Sequence, residues 1–216
     1  ASASTFRGSD KRGGANGAPQ ALWENMGARR DAQDILDRGE TDLLIMICCS
    51  ERFLNEGVDP AIRMWMDYAL ERNPNTRFAL ALPWPDFPED YASAVLYAAI
   101  WNGGQVMWHA LIESLREDYP GVDIVSIPHG RAALELRGLY EAGNLRDVDA
   151  MTSADGEGIF TDRKGHADSI LMDLGTLVWV GALYGVDISE YPLPRAYEAD
   201  LRGIAEMILE EDEYTR

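Results

Sequence analysis

A histidine that follows an aspartate by four residues is the clearest candidate for acid–base chemistry in this chain. Asp162 and His166 both lie in the stretch FTDRKGH, residues 160–166. A carboxylate that accepts the imidazole Nδ1–H holds the ring in one tautomer and leaves Nε2 free to act as a base. The pair therefore predicts a general base. The alternative is a polar segment that caps the start of the next helix.

The other two histidines lie in different settings. His129 follows a predicted strand within Pro-His-Gly. Ligands of α/β sheets bind beyond the carboxyl ends of the strands, so His129 is a second candidate base and a candidate substrate-binding residue. Pro-His-Gly is also ordinary turn chemistry, which makes a turn histidine the alternative. His109 is expected to be a half-buried residue of a helix.

A candidate nucleophile follows the apolar stretch DLLIMICC at residues 42–49, where Ser50 and Glu51 stand next to each other. A serine at the end of a strand is a nucleophile if a histidine reaches its hydroxyl. The local sequence CCSER is not the Gly-x-Ser-x-Gly pattern of a nucleophile elbow. Ser50 is therefore either the nucleophile or a helix cap. Glu51 either contacts substrate, as a hydrogen-bond acceptor or an acid/base group, or pairs with Arg52 or solvent.

Trp84 and Phe87 stand among three prolines after the second predicted strand. An apolar lip of this kind either lines a pocket for an acyl group or a sugar, or packs a rigid turn. Trp84 is therefore a candidate substrate-binding residue.

The only two cysteines, Cys48 and Cys49, are adjacent. Neighbouring side chains of a strand point to opposite faces, so we expect two buried thiols rather than a disulfide. Buried thiols favour a cytoplasmic location over a periplasmic one. No zinc-ligand spacing occurs, and we expect no metal site.

The elements that would position these residues alternate between strands and helices. Continuous apolar runs, typical of strands buried on both faces of a parallel sheet, occur at 42–49, 77–82 and 122–127. We predict helices over 23–38, from Pro60, over 89–117 with a break at Gly103-Gly104, and over 131–142, 167–184 and 196–210. A long loop is expected over 144–165. This alternation predicts an α/β fold with a three-layer, doubly wound parallel sheet, flavodoxin-like in arrangement.

Length and charge limit the function classes. The length of 216 residues predicts one domain, which we place over residues 19–216 as an α/β domain. The composition of residues 1–18 predicts a glycine-rich basic arm. Its 19 basic and 37 acidic residues give a net charge of −18. Nucleic acids and anionic lipids both require a basic surface, so neither is an expected partner. No apolar run reaches the roughly 18 residues of a membrane span.

Residues 17–193 resemble the SGNH/GDSL hydrolase superfamily, in particular its divergent bacterial members. The resemblance is carried, in the family's order, by GAP and WEN near the start, DLLIMICCSERF, the strand ending in Pro83-Trp84, IPHGRAALELRGLYEAG and IFTDRKGHADSILMDLGTLVWVGALYGVD. In that superfamily the last block holds an Asp and a His ahead of the final helix, which match Asp162 and His166. The resemblance implies a serine esterase that acts on a small-molecule ester or an acylated carbohydrate without a cofactor.

The sequence departs from the family pattern in three places. Three residues, not two, separate Asp162 from His166. The Gly-Asp-Ser block and its strand are not found, and CSER stands where Gly-x-Asn-Asp is expected. We therefore expect native residues upstream of this sequence that carry a first strand. The departures also leave open a catalytically inactive binding or structural protein on the same fold.

Residues 1–18, ASASTFRGSDKRGGANGA, resemble a segment of the catalase-peroxidases. This match covers 18 of the 216 residues. The family's distal Arg-Trp-His set and its proximal haem histidine have no counterparts in the chain. A haem peroxidase is the third functional alternative, and a fusion or a wrongly assigned segment explains the match better.

Overall fold

A computed structural model describes residues 18–47 and 59–215. The expected basic arm lies outside these residues, except for its last residue. The chain divides into two compact units, of which the first takes in residues up to 81 and 107–124. The second takes in residues 82–106 and 125–216.

Helices and strands alternate along much of the chain, and the prediction of an α/β protein is confirmed. The α-helices of the described residues are α1 (Pro19–Glu24), α2 (Met26–Leu36), α3 (Pro60–Arg72), α4 (Ala94–Asp118), α5 (Gly130–Glu141), α6 (Ser169–Tyr184) and α7 (Leu201–Glu211). The strands are β1 (Leu43–Ile47), β2 (Arg77–Ala81), β3 (Ile124–Ile127), β4 (Ala150–Thr152) and β5 (Gly158–Phe160). No helix of the described residues is long and apolar enough to cross a membrane.

The three apolar runs of the sequence form a parallel sheet in the order β1-β2-β3. The register of β1 and β2 runs from Leu43 opposite Arg77 to Ile47 opposite Ala81. Every residue of β3 and all but the first of β2 are buried. A strand buried on both faces needs apolar side chains on both, which is why continuous apolar runs predicted these strands correctly.

Two expectations about local structure were wrong. Helix α4 continues through Gly103-Gly104, because buried Tyr97, Trp101 and Trp108 at helical spacing hold it to the core. The stretch 144–165 is not a plain loop but contains β4 and β5, which pair in parallel. Strands of three residues leave no apolar run long enough to detect.

The first unit packs its N-terminal helices on α3. The indole N–H of Trp65 donates to the carbonyl of Pro19 at 3.1 Å. Its ring meets that of Trp23 edge to face, with centroids 4.8 Å apart. Aromatic pairs of this geometry stabilise the contact beyond simple burial.

The second unit is built on the apolar helix α6, whose N-cap Asp168 also binds the Gly158 N–H of β5. A Cβ at Gly181 would collide with the side chain of Leu209 in α7. The missing side chain at this position therefore lets α6 and α7 approach closely.

Helix α5 of the second unit holds the segment that follows β2. The Gly130 N–H donates to the carbonyl of Leu82 at 2.9 Å. A Cβ at Gly130 would lie 2.5 Å from the carbonyl carbon of Pro83. Two turns further along α5, Arg137 is 2% exposed and donates to the carbonyls of Pro88 and Tyr91. The segment that carries Trp84 is thus fastened to α5 at both ends.

Candidate functional site

The loop that carries Asp162 and His166 is a tight return of the chain after β5. Phe160 and Ala167 form an antiparallel bridge at its base. Next to the bridge, the Thr161 N–H donates to the carbonyl of His166 at 2.8 Å. We call residues 161–166 the dyad loop.

A glycine and an aspartate fold the dyad loop. The Gly165 N–H donates to the carbonyl of Asp162 at 3.0 Å and to its carboxylate Oδ1 at 3.1 Å. Gly165 has φ of +97°, a backbone conformation that other residues rarely adopt. An aspartate that accepts bonds from nearby backbone N–H groups is typical of a turn. The Asp-x-x-Gly spacing at residues 162–165 is the sequence signal of this turn.

The structure brings the carboxylate of Asp162 and the imidazole of His166 together. Asp162 Oδ2 lies 2.5 Å from His166 Nδ1, and Oδ1 accepts the His166 backbone N–H at 3.3 Å. The bond to the imidazole is the largest of the causes that lower the pKa of Asp162 below its usual value. Asp162 is therefore a carboxylate at neutral pH, and a carboxylate partner requires Nδ1 to carry the proton.

The far nitrogen of the imidazole is open to solvent. The side chain of His166 is 65% exposed. Among residues 18–47 and 59–215, no hydrogen bond to Nε2 is formed, from a serine or threonine hydroxyl or from any other group. With Nδ1–H held by Asp162, the ring presents Nε2 as a free acceptor. The described residues thus hold a carboxylate–imidazole pair.

His129 lies in a different environment, as the residue before α5. It is 8% exposed. Its ring meets Trp84 and Trp179, with centroid distances of 5.6 and 5.5 Å. Burial lowers the pKa of His129 to about 4, because a charged imidazole is poorly solvated among apolar groups. The ring is therefore neutral at pH 7.

Trp84 is half-buried and connects His129 to the dyad loop. Its ring also lies 6.5 Å from that of Phe160, centroid to centroid. Its indole N–H donates to the carbonyl of Gly165 at 2.8 Å. The one N–H of the predicted apolar lip, that of Trp84, is therefore bound within the protein. Neighbouring Phe87 is 44% exposed.

The remaining predicted site residues, Ser50 and Glu51, lie outside the described residues. His109 is half-buried in α4, as expected. Within the described part of the chain, no cluster of three or more His, Cys, Asp or Glu side chains is arranged to hold a metal ion. A shallow cleft of about 560 Å³ is lined by residues 193–202, and neither Asp162 nor His166 contributes to it.

The dyad loop also forms an ion pair that the sequence did not predict. Arg163 donates to the carboxylate of Asp90 at 2.9 Å, and both side chains are more than half exposed. These residues are 73 positions apart, and no sequence signal links them. Comparison with known proteins identifies no relative: no family model, no curated protein and no solved structure matches this chain.

Proposed function

We propose that this protein is an acyl-ester hydrolase of the SGNH type, in which His166 is the general base and Asp162 orients it. The observation that supports the proposal is the 2.5 Å contact between Asp162 Oδ2 and the Nδ1 of an exposed imidazole. A carboxylate in this position selects the tautomer with a free Nε2 and stabilises the imidazolium that forms when Nε2 takes a proton. The proposal includes a doubly wound sheet of the SGNH kind.

In the proposed reaction a serine hydroxyl attacks the ester carbonyl carbon, and His166 Nε2 takes the hydroxyl proton. The tetrahedral intermediate collapses, the C–O bond to the alcohol breaks, and Nε2–H protonates the departing alkoxide. A water molecule then hydrolyses the acyl-serine with His166 again as the base. Backbone N–H groups would stabilise the oxyanion. Ser50 is the proposed nucleophile, and a small ester or an acylated carbohydrate is the proposed substrate.

His166→Ala is the direct test. The variant loses the base, so we expect p-nitrophenyl acetate turnover to fall by about 10³-fold or more. His109→Ala is the matched control, because it removes a histidine from α4 and should retain turnover. Wild-type rates in His166→Ala would contradict the assignment. Labelling with a fluorophosphonate, followed by peptide mapping, would identify the serine and tests Ser50 separately.

A second candidate is a binding or structural protein without catalysis. One observation favours it. The carboxylate of Asp162 binds the Gly165 N–H, the His166 N–H and His166 Nδ1, all within its own loop, and such bonds also serve to hold a turn that has no catalytic role. On this alternative no serine reacts with the fluorophosphonate at any pH. Asp162→Asn would then lower the stability of the loop and change no activity.

A further inference from the structure

The ring of Trp84 is held from two sides by aromatic packing. It meets His129 nearly edge to face, at 76°, and Phe160 at 53°. These contacts restrict the rotation of the indole, so its N–H has a fixed direction. That direction leads to Gly165 in the dyad loop, whose carbonyl accepts at 2.8 Å.

The acceptor of this bond belongs to the peptide group that joins Gly165 to His166. The other end of the same group, the His166 N–H, donates to Asp162 Oδ1 at 3.3 Å. A peptide group is planar, so its C=O and N–H cannot turn independently. Trp84 and Asp162 therefore hold one rigid plane from opposite ends.

The segment around Trp84 makes a second contact with the dyad loop. The Phe87 N–H donates to the carbonyl of Lys164 at 2.9 Å. Phe87 itself has φ of +56°, in the left-handed region that residues other than glycine avoid. Strain of this kind persists only where surrounding contacts enforce it. Two consecutive carbonyls of the loop are thus bound by the segment after β2.

We propose that Trp84 is a positioning residue for the Asp162–His166 pair, acting through its indole N–H on the Gly165–His166 peptide. The expected effect of Trp84 on catalysis rests on the proposed function. The expected effect of Trp84 on the contact between Asp162 and His166 does not. Without the N–H, the peptide can rotate, and His166 then meets the carboxylate of Asp162 in a poorer geometry. Trp84 acts through the backbone and does not touch the reacting atoms.

The test compares Trp84→Phe with Trp179→Phe. Both substitutions replace an indole that packs on His129, but in the described structure only the indole of Trp84 donates to the dyad loop. Carbon-13 NMR titration of the carboxylates and the proton signal of His166 Nδ1–H report directly on the pair. In Trp84→Phe we expect the pKa of Asp162 to rise towards its usual value and the Nδ1–H signal to weaken. Trp179→Phe should change neither.

Activity gives the second readout. Trp84→Phe should lower kcat for p-nitrophenyl acetate about tenfold with little change in KM, because misplacing a catalytic group acts on the chemical step. If Trp84→Phe does not fold, benzothienylalanine at position 84 keeps the ring shape and replaces the N–H by sulfur. An unchanged Asp162 titration in Trp84→Phe, or in the benzothienylalanine variant where Trp84→Phe does not fold, would overturn the proposal. An inactive wild type with an altered titration in the variant would refute the proposed esterase and leave the positioning role intact.

Discussion

Replacing Gly130 by alanine should lower the free energy of unfolding, whereas the same substitution at Gly138, also in α5, should not. A Cβ at Gly130 would collide with the indole nitrogen of Trp101 and would lie 2.5 and 2.6 Å from the carbonyl carbon and oxygen of Pro83. Two of these three atoms are backbone, which cannot move aside like the end of a flexible side chain. Overpacking of this kind costs about 3 kcal/mol.

Gly138 in the same helix provides a control of identical chemistry. No atom lies within 4 Å of the Cβ that alanine would add there. Alanine is favoured over glycine in a helix by about 1 kcal/mol, so Gly138→Ala should stabilise the protein. The two variants, which have the same composition, should therefore differ by about 4 kcal/mol.

Urea denaturation followed by circular dichroism at 222 nm measures this difference as a shift in midpoint at constant slope. We expect Gly130→Ala to unfold at lower urea than the wild type and Gly138→Ala at higher urea. Equal midpoints for the two variants would show that the approach of α5 to Pro83 is not as close as the structure has it. The segment that carries Trp84 would then be held by other contacts.

Two further predictions concern buried charge and protonation. The pKa of His129 is about 4 in the folded protein, so as pH falls below the usual value near 6.5 the unfolded chain takes up the proton first. Folding stability should drop by about 2 kcal/mol between pH 7.5 and 5. His129→Gln should remove this part of the pH dependence of the urea midpoint, and an unchanged dependence would refute the assignment. Arg137→Lys should cost about 3 kcal/mol in thermal or urea unfolding, because a lysine cannot reach both carbonyls that the buried guanidinium binds. Arg146→Lys is its control, since Arg146 is 79% exposed and its ion pair is 3.9 Å long; a similar loss in both variants would contradict the reasoning.

Local patterns predicted the strands of the first sheet and most helices. The runs at 77–82 and 122–127 correspond to β2 and β3 because buried parallel strands need apolar side chains on both faces, and the run at 42–49 contains β1, which is only partly buried. The end of α5 at Glu141 also agrees with the helix predicted over 131–142. Gly143 has φ of +73°, and the Asn144 N–H donates back to Leu139 at 2.8 Å.

The failures have physical reasons of a different kind. The continuity of α4 at Gly103-Gly104 depends on tertiary burial of its aromatic residues, which outweighs the low helix propensity of glycine. β4 and β5 are held by their mutual ladder and by Asp168 at the start of α6. Neither contact has a sequence pattern, because three residues are too few to show a period.

The candidate site also has features that local sequence encodes and features that depend on tertiary packing. The sequence by itself determined that Asp162 and His166 meet. The two residues are four positions apart, and Gly165 between them allows the chain to form one tight turn. Only the tertiary structure decided that His129 is buried and neutral and that the Trp84 N–H is directed at Gly165. The partners in those contacts are about 45 to 80 positions apart. Their meeting depends on how whole elements pack, and no local spacing encodes it.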